Sequence, residues 1–112
     1  MGEKVTIPYH LVASPGSSGE VTLYEVPQAR ELRVTRIITY FPAGNYGELE
    51  VSYWVGIRQA HPTKGSLTGD NVVWDDEVDF KVSSGSALTL KYVNSNTTET
   101  REAFIHIEGE LV

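Results

Sequence analysis

The chain has 112 residues, 40% apolar and 21% charged, with no cysteine and a formal net charge of −6 at pH 7. That composition is enough for a packed core without disulfides or metals, and it excludes thiolate catalysis, cysteine-zinc sites and iron–sulfur clusters. Nine basic residues against fifteen acidic ones form no cluster to neutralise phosphates. Neither nucleic acid nor an anionic membrane surface is therefore an expected partner.

The first five residues, Met1 to Val5, are polar and lack the apolar stretch of a secretory leader. No run approaches the roughly eighteen apolar residues of a membrane span. With no signal peptide or transmembrane segment expected, a virion or the cytoplasm is the compatible location. One domain, residues 1–112, is the expectation for this length.

In chain order, apolar residues recur with a period of two, which predicts half-buried strands and no helix. Lys4 to Val12 is a first strand, ended by the flexible run Ser14-Pro15-Gly16-Ser17-Ser18-Gly19. Glu20 to Val26 follows and stops at Pro27, which cannot donate to a ladder. Within Glu31 to Phe41 the apolar set switches from Leu32 and Val34 to Ile37, Thr39 and Phe41, predicting a bulge near Arg36. Glu48 to Arg58 is the clearest strand, with Leu49, Val51, Tyr53, Val55 and Ile57 inward. A long loop from Gln59 to Asp70 precedes two short strands, Asn71 to Trp74 and Glu77 to Val82, separated by a turn at Asp75-Asp76. Ala87 to Asn94 and Thr100 to Val112 close the chain around a polar hairpin loop. Eight antiparallel strands at this spacing predict an all-β sandwich of the jelly-roll type. The competitors are a small closed barrel and an immunoglobulin-like sandwich, the second without its Cys-Trp-Cys spacing.

Acidic residues gather at Asp70, Asp75, Asp76, Glu77 and Asp79. Calcium takes six to eight oxygens, so Asp75, Asp76 and Asp79 are candidate metal ligands, against the plainer reading of a charged strand edge. No other cofactor is expected. The histidines are His10, His61 and His106, with no His-x-His pair; His106, Glu108 and Glu110 share one strand face, with His10 as a possible neighbour. No Gly-x-Ser-x-Gly elbow occurs, and Gly16-Ser17-Ser18-Gly19 reads as a turn. Arg30, Arg33 and Arg36 read as strand charges paired with neighbouring carboxylates. Asn96-Thr97-Thr98 fits the N-glycosylation triplet.

The alternation places several aromatics outward. Trp54, Phe104 and Tyr24 are the candidate interface or ligand residues, since exposed aromatics anchor protein contacts or stack on sugars.

One stretch carries a resemblance. Val78-x-Phe80-x-Val82-Ser83-Ser84-Gly85-Ser86-x-Leu88-x-Leu90-x-Tyr92-x-Asn94, with the closing Phe104-x-His106-x-Glu108-Gly109-Glu110-Leu111, resembles the C-terminal half of small jelly-roll domains. These recur as capsid, decoration or fibre modules of viruses and tailed phages. The resemblance implies a structural role and carries over no functional residue.

Three functional expectations follow. The first is a non-enzymatic structural or interaction module, viral or prophage in type, that forms a homo-oligomer or binds other structural proteins through an aromatic face around Trp54 and Phe104. The second is a carbohydrate-binding module, with Trp54, Trp74 or Tyr46 stacking on a glycan and Asp75, Asp76 or Asp79 holding calcium. The third is a cupin-like metalloenzyme using His10 and His106.

Overall fold

A computed structural model describes residues 2–112. Its strands are β1 (Glu3–Ala13), β2 (Ser18–Glu25), β3 (Leu32–Phe41), β4 (Leu49–Val55), β5 (Arg58–His61), β6 (Val72–Val82), β7 (Ala87–Asn94) and β8 (Arg101–Leu111). All pairings are antiparallel and make two four-stranded sheets. Sheet A has the order β1-β8-β3-β6 and sheet B the order β2-β7-β4-β5. Apart from the β4–β5 hairpin, each connection crosses from one sheet to the other. This is an eight-stranded jelly roll, as the strand count predicts.

Alternation along the strands builds the core. Leu49, Val51 and Tyr53 of β4 and Leu88 and Leu90 of β7 face Leu32, Val34, Ile37 and Phe41 of β3 and Ala103, Ile105 and Ile107 of β8; all belong to one buried cluster. Full burial of such a side chain is worth about 1.5–3 kcal/mol. Two polar contacts join the sheets inside this layer. Thr39 Oγ1 and Tyr53 Oη lie 2.7 Å apart, both residues being fully buried. At the open side, His61 on β5 meets Asp76 on β6 at 2.9 Å.

The bulge in β3 lies where the sequence places it, between Val34 and Arg36. Thr35 is the extra residue against β8, and its hydroxyl donates to the Glu108 carbonyl at 3.2 Å. Opposite sits Gly109, where a Cβ would lie 2.7 Å from the Arg33 carbonyl oxygen, so only glycine lets the bulged strand approach this closely.

Three local readings are corrected. β4 stops at Val55, because Gly56 at φ 60° turns the chain into a two-residue hairpin that pairs Val55 with Arg58. Ile57, expected inward, is fully exposed at that tip, and β5 occupies the start of the expected loop. The rest of the loop is tied down. Val51 and Leu67 exchange backbone hydrogen bonds, while Gln59 Nε2 donates to the Pro62 and Gly65 carbonyls. The loop thus covers the β4 edge that the short β5 leaves unpaired.

There is no turn at Asp75-Asp76. Pairing with β3 runs from Phe41–Val72 to Leu32–Val82, making one strand of the two that were expected.

Candidate functional site

The outer face of sheet A carries the most distinctive surface. Register across the sheet aligns His10, Phe104, Tyr40 and Val73 in one row, one residue from each strand. The His10 and Phe104 rings stack at 4.3 Å and 5°, and Tyr40 lies 6.0 Å from Phe104. A second row holds Pro8, His106, Ile38 and Asp75. Phe104 is 42% exposed, Val73 54% and Val12, at the margin, 55%. Side chains of this size standing together on one face form an apolar patch rather than scattered surface residues.

Charge flanks that patch. Arg36 donates to both carboxylate oxygens of Asp75, at 2.8 and 2.6 Å, and stands 3.8 Å from Glu108. The bidentate bond holds the Asp75 carboxyl below its usual range and raises the Arg36 guanidinium further above neutrality. His10 pairs with Glu102 at 2.9 Å and His106 with Glu108 at 3.0 Å. Each histidine therefore has its own carboxylate, and the two do not converge on a common centre.

The candidate interface residues separate. Phe104 points outward from sheet A, between buried Ala103 and Ile105. Trp54 lies on sheet B, so its outward side is the opposite face of the sandwich, and no single aromatic surface contains both. Its indole nitrogen donates to Ser52 Oγ at 2.9 Å, and Lys91 Nζ sits 3.8 Å above the ring, which leaves Trp54 half-buried. Tyr24 is not outward. A register shift between Thr22 and Tyr24 brings it opposite the buried Leu88, and it packs against the core.

The acidic candidates separate as well. With β6 continuous, alternation puts Asp75 and Asp79 on the outer face and Asp76 on the inner, so the three do not share a turn. Arg36 occupies Asp75, and His61 occupies Asp76. Asp70 instead accepts from the Gly44 and Asn45 amides at 2.7 and 3.1 Å, holding the β3–β4 loop. Among the described residues, no three His, Asp or Glu side chains are placed to hold a metal ion. Of the glycan-stacking candidates, Tyr46 is 73% exposed on that loop, and Trp74 spends its indole N–H on the Thr68 carbonyl at 2.8 Å.

Two polar centres lie outside the candidate site residues. Asn94, 1% exposed, donates to the Ala13, Ser14 and Glu99 carbonyls and accepts from the Asn96 amide. Glu48 accepts from Asn96 and Arg101, and these bonds hold its carboxyl below the usual range. Together they lock the β1–β2, β3–β4 and β7–β8 loops at one end. Asn96 Nδ2 is bonded to Glu48 and its Oδ1 to Thr98 and Glu99, so the glycosylation triplet is a loop-closing device here.

No family model matches the chain, and no curated protein matches it in sequence. Solved structures do. A chain of the acid-stable capsid of Helicobacter pylori bacteriophage KHP30 is similar at a TM-score of 0.57 and 15% identity, over 100% of this chain and 97% of that one. A chain of the capsid asymmetric unit of cyanophage Pam1 is similar at a TM-score of 0.53 and 9% identity, over 97% of this chain and 85% of that one. At these identities the likeness is one of fold, and it agrees with the resemblance carried by Val78 to Leu111.

Proposed function

We propose that this protein is a non-enzymatic structural module of an assembled particle, of the phage-capsid kind, and that it works by associating with copies of itself or with other structural proteins. The observation that carries the reading is the row of three stacked or neighbouring rings and a valine, His10–Phe104–Tyr40–Val73, on an open sheet face, a surface of the type that marks a protein interface. Fold likeness to phage capsid chains supports it by analogy, since one fold hosts many functions. The paired, non-convergent histidines and carboxylates support a non-catalytic role. A virion-associated location follows from the same reading.

Light scattering behind a sizing column tests it. A defined oligomer is expected at micromolar to millimolar chain concentrations. A chain that stays monomeric throughout, and that also fails to load onto a particle when its neighbouring structural proteins are supplied, would end the assembly reading.

A further inference from the structure

We propose that the outer face of sheet A is a two-fold interface with a second copy of this chain, in which β3 of each copy lies over β8 of the other. The proposal rests on the self-association reading and supplies its geometry.

The two central strands of the sheet carry opposite charge. Outward residues of β3 are Arg33, Arg36, Ile38 and Tyr40; those of β8 are Glu110, Glu108, His106 and Phe104, matched to them in the same order by the register. A two-fold axis parallel to the strands, running between β3 and β8, keeps each row in place and exchanges the two columns. Arg33 then faces Glu110 of the second copy, Arg36 faces Glu108, Ile38 faces His106 and Tyr40 faces Phe104. Each contact occurs twice, because a two-fold interface is isologous. On the outer strands the same operation sets Val73 against His10 and Asp75 against Pro8. Lys4 meets Lys81 at the rim, where water and sheet twist relieve the repulsion.

Shape and size agree with this arrangement. Beside the β3 bulge runs a shallow groove lined by Lys4, Thr6, Thr35, Glu108 and Glu110, positioned to receive an arginine from the opposing β3. The His10–Phe104 stack fixes the aromatic ring before contact, which lowers the ordering cost of association. Four strands at about 4.8 Å spacing and roughly ten residues at about 3.3 Å rise give a face of about 600 Å² before side-chain relief. That is close to the ~800 Å² per partner of a standard stable interface.

Charge exchange tests the symmetry directly. Arg33 and Glu110 are both exposed, so Arg33→Glu and Glu110→Arg leave the core untouched, which circular dichroism verifies. Each variant alone sets like charges against each other at both copies of the contact, and its dimer dissociation constant rises at least about tenfold. Mixed one to one, the two variants restore opposite charges at both contacts, and heterodimers form within about threefold of the wild-type affinity.

Loss in each variant without recovery on mixing overturns the β3-over-β8 arrangement. A wild-type oligomer unmoved by Arg33→Glu, Glu110→Arg and Phe104→Glu rejects this face and leaves self-association standing. A wild-type chain that is monomeric at millimolar concentration removes both self-association and the interface.

Discussion

Replacing Tyr53 by Phe removes one hydroxyl from the contact that ties the two sheets together inside the core. The partner, Thr39 Oγ1, is fully buried at 2.7 Å from the phenol oxygen, so the substitution strands a hydroxyl where water does not reach. An unsatisfied buried hydroxyl costs about 1–3 kcal/mol. In a domain this size that lowers the melting temperature by roughly 4 °C per kcal/mol. Thr39→Val strands the phenol in the same way at similar cost. The double substitution removes both polar atoms and keeps both shapes, so its cost is less than either single change, and the coupling is at least as large as the larger single cost, about 1–3 kcal/mol. Urea unfolding of the four proteins, followed by Trp fluorescence, reads this cycle. Additive costs, with coupling under about 0.3 kcal/mol, would refute a hydrogen-bonded link between the sheets. Burial also pushes the Tyr53 phenol above its ordinary 10.0. The folded state therefore holds the proton that the unfolded chain releases. Its contribution to stability is full below pH 10 and is lost as pH rises beyond it, with the Tyr53 phenolate forming only as the chain unfolds.

Other regions make separate predictions. Leu67→Ala should cost about 2 kcal/mol, because this loop residue is 7% exposed and covers the β4 edge. Hydrogen exchange at the Val51 amide should accelerate selectively, whereas a uniform rise across β4 and β7 would mean that the loop does not protect that edge. Glu48→Gln should destabilise at neutral pH by removing the charged partner of Arg101. Since the folded Glu48 carboxyl lies below its usual 4.5, its contribution is full above that value and is lost as pH falls through the lowered one. The gap in urea midpoint between wild type and variant should therefore narrow in acid, and a constant gap would show that the Glu48 charge is not involved. Trp54→Ala should leave the oligomer mass unchanged, since that indole sits on sheet B under Lys91; loss of the oligomer would move the interface to the opposite face.

The period-two alternation was sufficient for fold class, since a strand with one apolar face has to bury it against another sheet. It also located the β3 bulge, because an extra residue leaves a phase shift that reads directly from Val34 to Ile37. It was insufficient wherever pairing overrode composition. Asp75-Asp76 has the composition of a turn, yet the β3 ladder carries the chain through it, and Gly56 ends β4 where apolar periodicity continued to Ile57. Tyr24 was read outward for a related reason, as the irregularity in its pairing with β7 has no local signature.

Most of the candidate site lay beyond the reach of alternation. The rule states which way a side chain points and never which strand stands beside it, so Phe104 was legible as outward while its neighbours His10, Tyr40 and Val73 were not. Those neighbours come from three other strands, at positions 10, 40 and 73, and strand order alone places them in one row with Phe104. Strand order likewise put Trp54 and Phe104 on opposite faces and divided the acidic cluster between Arg36 and His61. Local chemistry thus determined that this chain folds as a two-sheet sandwich with outward aromatics. Only long-range pairing decided which of those aromatics share a surface.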